Sequence, residues 1–196
     1  MAAIDTRNKI LKTALKLFNS KGASQVSTNQ IAEAAEISKG NLHYHYKNKE
    51  IIISQIFDEM VENVVVGNQG DEPATLTRLQ EELELLLLRQ WKYRFFQREL
   101  VSLLRKDPVL KKKYKAYKTQ RWTAIETFMY GLERNGLLNT GENQKLVPAL
   151  IKTCWIIYDY WLGYLDVNDI AVNKENIREG VDLIFQVIRP HLNIQA

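Results

Sequence analysis

Between Thr28 and Lys49 the chain reads TNQIAEAAEISKGNLHYHYKNK, and this run constrains the fold more than any other stretch. Its apolar residues Ile31, Ala32, Ala35, Ile37, Leu42 and Tyr46 fall at spacings that gather side chains on one face of a helix. Thr28 and Ser38 each stand at the start of such a face. A hydroxyl there accepts from an unpaired backbone N–H, so both read as N-caps. Two short helices joined by a tight turn follow from this pattern. Leu42 and Tyr46 share the inward side of the second helix, which leaves Lys39, Gly40, Asn41, His43, Tyr44 and His45 on its outward faces. An exposed short helix rich in hydrogen-bonding side chains, backed by another helix, is the arrangement of a helix-turn-helix that reads DNA.

The rest of the chain also reads as helix, with only four prolines and nine glycines in 196 residues. A first helix over about 6–21 carries Ile10, Leu11, Ala14, Leu17 and Phe18 inward and stops at Gly22. Asn48 caps a fourth helix from Lys49, and Gly67, Gly70 and Glu72-Pro73 mark a linker over 66–73. Two helices with a joint near 92–94 fill 74–105. Asp107-Pro108 opens another that ends before Gly136, and two more cover about 142–165 and 174–188. The fold class is therefore all-α: a three-helix head over 1–50, a connecting helix and linker over 51–72, and a helical body over 73–196.

Charge locates the partner. Residues 1–50 hold eight basic and four acidic side chains, which accounts for the whole net charge of +4. The excess lies where phosphate attraction requires it. Lys111, Lys112, Lys113, Lys115 and Lys118 read instead as solvated surface. There is no run of eighteen apolar residues and no secretory leader, so neither a membrane span nor export is expected. One cysteine, Cys154, excludes an internal disulfide and agrees with a reducing cytoplasm. His43 and His45 diverge by about 200° on a helix, and His191 is remote, so no metal site and no cofactor are expected. No phosphate loop or nucleophile elbow occurs, and the chain does not read as an enzyme.

The segments IxxxALKLFNSKG (10–22), TNQIAEAA (28–35) and ISKGNLHYHYKNKE (37–50) resemble the tetracycline-repressor (TetR) family of bacterial transcription regulators. The resemblance is specific over roughly the first fifty residues and architectural beyond them. It implies DNA-backbone contacts from Thr28, Tyr44, His45 and Lys49. It implies base-facing positions at Lys39, Gly40, Asn41 and His43, with Asn29 as a further one; Ser38, the N-cap, is counted among the DNA-binding residues without a base-facing role. Two positions depart from the family pattern. Glu36 stands where a turn glycine is usual, at a cost of about 1 kcal/mol if φ is positive, and His43 replaces a tyrosine.

Aromatic residues crowd the body. Trp91, Phe95, Phe96, Tyr117, Trp122, Phe128, Trp155, Tyr158 and Trp161 are the candidate lining of a pocket for an apolar or aromatic small molecule, although for any one of them alone core is the better reading. Arg89, Glu99 and Asp159 are ionisable groups in these apolar segments that either orient a ligand's polar end or merely reach solvent. The last two helices are apolar on more than one face, so a second copy is expected to cover them as a two-fold four-helix bundle, the alternative being a monomer with a thick core. The expected function is a homodimeric repressor released from a palindromic operator by a ligand. The alternative is a DNA-binding regulator without a ligand, governed by a protein partner or by its abundance.

Overall fold

The computed structural model describes residues 2–62, 75–141 and 143–193. Nine α-helices occur among them: α1 Ala2–Lys21, α2 Thr28–Ala34, α3 Lys39–His45, α4 Lys49–Val61, α5 Leu76–Lys92, α6 Arg94–Lys106, α7 Pro108–Arg134, α8 Leu146–Val167 and α9 Lys174–Ile188. The all-α expectation holds, and the predicted linker over 66–73 lies outside the described residues. The chain divides into two compact units, one of residues 1–63 with 93–113, the other of 64–92 with 114–196. Thus α6 joins α1–α4, and α7 contributes its first six residues to the first unit and the remainder to the second.

The first unit closes around the apolar faces of α1, α2, α3 and α4. Ile10, Ala14, Phe18, Ile31, Leu42, Tyr46, Ile52 and Ile56 are all buried. Helix α6 completes this core with Phe95 against Phe18 and Phe96 against Phe57, ring centroids 5.2 Å apart in each pair. Local chemistry sets the helix ends. Ser27, rather than the expected Thr28, caps α2: it forms a capping box with Gln30, each side chain accepting from the other residue's backbone N–H. Ser38 caps α3 by accepting from Asn41, and Asn48 caps α4 by accepting from Ile51. Between α2 and α3, Glu36 takes φ 53°, while the Ile37 amide donates to the Ala32 carbonyl and the Glu36 amide to that of Glu33. This is a Schellman stop with a glutamate in the left-handed position, as the sequence departure implies.

The second unit packs α5, α8 and α9 together with the later turns of α7. One cluster gathers Leu79, Phe128, Leu132, Leu150, Ile151 and Ile184, and another Leu87, Trp161, Leu162, Leu165, Ile177 and Val181. Trp161 donates its indole N–H to the Asn176 carbonyl at 2.8 Å and lies against the backbone of α9 at Gly180. Helix α9 has the expected bounds, whereas α8 begins at Leu146 and ends at Val167, a few residues later than its periodicity implies. Along α8, Ile156, Tyr160, Tyr164 and Val167 form an apolar line that stays exposed, with Tyr160 at 62% and Val167 at 76%. Two of the α7 lysines are not simple solvated surface. Lys113 bonds Ser54 and Asp58 of α4, and Lys118 bonds Asp159 of α8.

Candidate functional site

Helix α3 carries the first candidate site. Its inward residue Leu42 and the C-capping Tyr46 are buried to within 1%, which fixes the rotation of the helix. Lys39, Gly40, Asn41, His43 and Tyr44 are consequently exposed, as are Ser38 before them and Asn29 on α2; Thr28 and His45 are partly so. Tyr44 is 83% exposed and meets His45 edge-on, with centroids 5.1 Å apart. A row of donors and acceptors on a short helix, with no apolar group among them except the tyrosine ring, can engage base edges and phosphates in a major groove. Arg7 lies over the Tyr46 ring at 5.4 Å, adding a cation on α1.

The turn between α1 and α2 is clamped from two sides. Glu99 on α6 accepts from the backbone amides of Ala23 and Ser24, and Lys49 on α4 donates to the carbonyls of Ala23 (2.6 Å) and Val26 (2.8 Å). Gly22 makes the approach of Glu99 feasible. Its φ is 83° with an extended ψ of 144°, not the left-handed helical pair, and a Cβ there would stand 3.0 Å from the Glu99 carboxylate. Two expectations change here. Glu99 is a clamp of the first unit, not a ligand anchor, and Lys49 is engaged with its own backbone. The cause in both cases is a turn that exposes amides on one side and carbonyls on the other, each matched by an opposite charge.

A cavity of about 60 Å³ occupies the second unit. Leu79 and Leu83 of α5, Ile125, Phe128 and Met129 of α7, Leu150, Ile151, Cys154, Trp155 and Tyr158 of α8, and Ile184 and Ile188 of α9 line it. One charged residue joins them: Arg121 of α7, only 6% exposed. Its Nε–H has no acceptor, and its Nη1 donates to the Tyr117 hydroxyl at 3.3 Å. The rings of Tyr117, Trp155 and Tyr158 lie 5.8 to 5.9 Å from its guanidinium, at the outer limit of cation–π attraction. Each such ring contributes about 1 kcal/mol, against a desolvation cost of roughly several kcal/mol for a buried ion. Arg121 is therefore under-compensated.

The nearby carboxylate is already committed. Asp159 pairs with Lys118 at 3.0 Å, and the Lys118 ammonium sits 3.7 Å from the Trp155 ring centroid. Burial pushes the Asp159 carboxyl above its usual range, opposed chiefly by Lys118 and only weakly by Arg121. Burial likewise lowers Lys118, against the pull of Asp159. The Trp155 indole N–H leans toward Asp159 without a well-formed hydrogen bond. Desolvation raises the phenols of Tyr114 and Tyr158, and it pushes the Cys154 thiol up to about 11, so all three are neutral at pH 7.

Of the nine aromatics expected in a pocket, Phe128, Trp155 and Tyr158 line this cavity. Trp122 stacks on Trp155 at 6.2 Å and Tyr117 touches Arg121, so both stand one layer behind it. Trp91 and Trp161 belong to the neighbouring core cluster, and Phe95 and Phe96 to the core of the first unit. Arg89 stays half-buried on α5. Arg121 was the residue that sequence reasoning passed over. Its signal was its place four residues from Tyr117 and from Ile125, on the inward line of α7. No group of three His, Cys, Asp or Glu side chains that could hold a metal occurs among the described residues. No helix among them is long and apolar enough to cross a membrane.

Known proteins share this architecture. Residues 57–196 match the family model TetR, a bacterial transcriptional repressor, and residues 10–56 match the model for bacterial regulatory proteins of the tetR family. A solved TetR-family transcriptional regulator from Marinobacter aquaeolei is 31% identical with a TM-score of 0.84, covering 95% of this chain and 91% of that one. The HTH-type transcriptional regulator AcrR of Shigella flexneri is 37% identical over 62 residues, 32% of this chain and 29% of that protein. QacR of Staphylococcus aureus is 38% identical over 55 residues, 28% of this chain and 29% of its own. The matched stretch thus spans less than a third of these curated relatives. The fold alone extends to the SmeT–triclosan complex, 14% identical with a TM-score of 0.68, covering 93% of this chain and 90% of that one. Matched by family models over nearly its whole length, the chain belongs to the TetR family of bacterial regulatory proteins.

Proposed function

We propose that the protein is a homodimeric, sequence-specific DNA-binding transcriptional regulator of the cytoplasm, a repressor released from a palindromic operator by a small molecule. The observation that carries the reading is α3: its register is locked by buried Leu42 and Tyr46, and its outward face is polar and exposed. Lys39 and Asn41 on that face have the donor and acceptor chemistry to address guanine and adenine. The names of the relatives AcrR and QacR support a regulatory role, and the SmeT–triclosan complex supports a fold that accepts a small apolar molecule. The exposed line on α8 supports a two-fold contact, since a lone head covers too few base pairs for specificity.

Release follows from continuity of α7. Arg121 in this helix faces the cavity, and Lys113 two turns earlier is tied to α4 through Ser54 and Asp58. A ligand that prefers one setting of α7 over another thereby biases the first unit, and DNA and ligand oppose each other reciprocally. One observation favours the reading without a ligand: about 60 Å³ is far below the roughly 300–1,000 Å³ of drug-sized sites. Either the site widens on binding or its ligand is compact.

Selection from random duplexes tests the proposal. The expected product is a palindrome, and Asn41→Ala should relax one base position in each half at a cost of about 1–3 kcal/mol. Failure to bind any duplex at low salt would overturn it. A bound operator that no small molecule releases would leave the alternative regulator.

A further inference from the structure

We infer that the cavity of the second unit takes a compact apolar monocarboxylate, with Arg121 as its counter-ion. The inference deepens the ligand-release reading and rests on it for its biological use, but its chemistry comes from Arg121 alone. That side chain is more than nine-tenths buried, lines the cavity, and carries an Nε–H that no acceptor meets.

The charge tally points the same way. The groups that face one another here are Arg121 and Lys118 as cations, Asp159 as the carboxylate, and the phenols of Tyr114, Tyr117 and Tyr158. Asp159 is held by Lys118 at 3.0 Å, which leaves one positive charge without an anion. A guanidinium presents parallel N–H donors that match a carboxylate in two-point contact. A neutral ligand could accept from that donor through an oxygen but would leave the guanidinium charge without a counter-ion. A cationic one, though suited to the Trp155 and Tyr158 rings, would face Arg121 at close range. The rest of the wall is mainly apolar, aliphatic at Leu79, Ile125 and Ile184 and aromatic at Phe128 and Trp155, and asks for a hydrocarbon body. The small volume asks for a short one.

Titration of the full-length protein, followed by calorimetry and by tryptophan fluorescence, tests this directly. Benzoate, hexanoate and octanoate are compared with benzyl alcohol, 1-hexanol, 1-octanol and octylammonium. Each acid is expected to bind at least about tenfold more tightly than its alcohol, as a charge-assisted contact implies, with octylammonium weakest. Arg121→Met should bring acid and alcohol to within about threefold by removing that contact, while the alcohol still binds. Arg121→Lys should keep a preference for the acid. Equal binding of acid and alcohol by the wild type overturns the proposal. So does an undiminished preference in Arg121→Met, or no binding by any acid. Should Arg121→Met not fold, the wild-type ratio and Arg121→Lys decide. Operator release is measured separately. Octanoate that binds but leaves the DNA complex intact supports the carboxylate site and removes its role in release. A neutral compound that releases DNA while every acid fails to bind supports release and overturns the carboxylate.

Discussion

The Lys49 ammonium has three protons, and two are directed to the carbonyls of Ala23 and Val26. Under the proposed DNA-binding function the third would serve a phosphate at the start of α4, giving one side chain two tasks. Hydrogen bonds from a charged donor contribute roughly 1.5–3 kcal/mol when sheltered. Lys49 is partly exposed, so Lys49→Ala should lower stability in a thermal melt by about 1–2 kcal/mol. It should also weaken specific and non-specific duplexes alike. An unchanged melt with a salt slope reduced by about one unit would return Lys49 to a phosphate role alone. At this scale the sequence is read best where a residue's job is local. Ser38, Asn48 and Glu36 announce themselves within four positions of their partners. Glu99 and Lys49 do not, because their partners lie 76 and 26 residues away. Arg121 is the intermediate case: a charge on an apolar line is visible in the sequence, but its want of an anion depends on Asp159 being taken by Lys118.

Helix boundaries show the same division between near and far. The joint between α5 and α6 and both ends of α9 follow from periodicity and end signals. Periodicity also told which aromatics would be inward, but not which core would receive them. Phe95 and Phe96 are sent to the first unit because α6 packs on α1, a pairing that no local pattern encodes. The α8–α9 contact offers a sharp test of packing at this scale. A Cβ on Gly180 would fall 2.3 Å from the Trp161 ring, which cannot retreat without giving up its bond to Asn176. Gly180→Ala gains up to about 1 kcal/mol of helix propensity and loses more through overpacking, typically about 1–3 kcal/mol. Because this ring is buried and its indole N–H is bonded to Asn176, the variant should melt lower, with an altered tryptophan emission spectrum. An unchanged or higher melting point would show that the two helices slide apart freely.

For the molecule as a whole, the exposed line of Ile156, Tyr160, Tyr164 and Val167 decides whether the regulator works in pairs. Neighbouring solvent-facing apolar groups at helical spacing on α8 signal a contact surface rather than scattered exposure. Replacing both Ile156 and Tyr160 with glutamate should give a monomer in sedimentation velocity, with the helical circular dichroism kept. The same variant should lose specific operator binding while retaining weak, salt-sensitive attachment to any duplex. A dimer that survives the double change would move the interface elsewhere. A two-fold assembly also gives unusual weight to the emptiest point on α3. Nothing lies within 4 Å of where a side chain on Gly40 would begin. In the proposed dimer, a single codon change there would append a new group to both copies of α3 at once, in space that is open. On the proposed operator-binding reading, Gly40 is the position where a lineage can drift toward a different operator while its fold stays as it is.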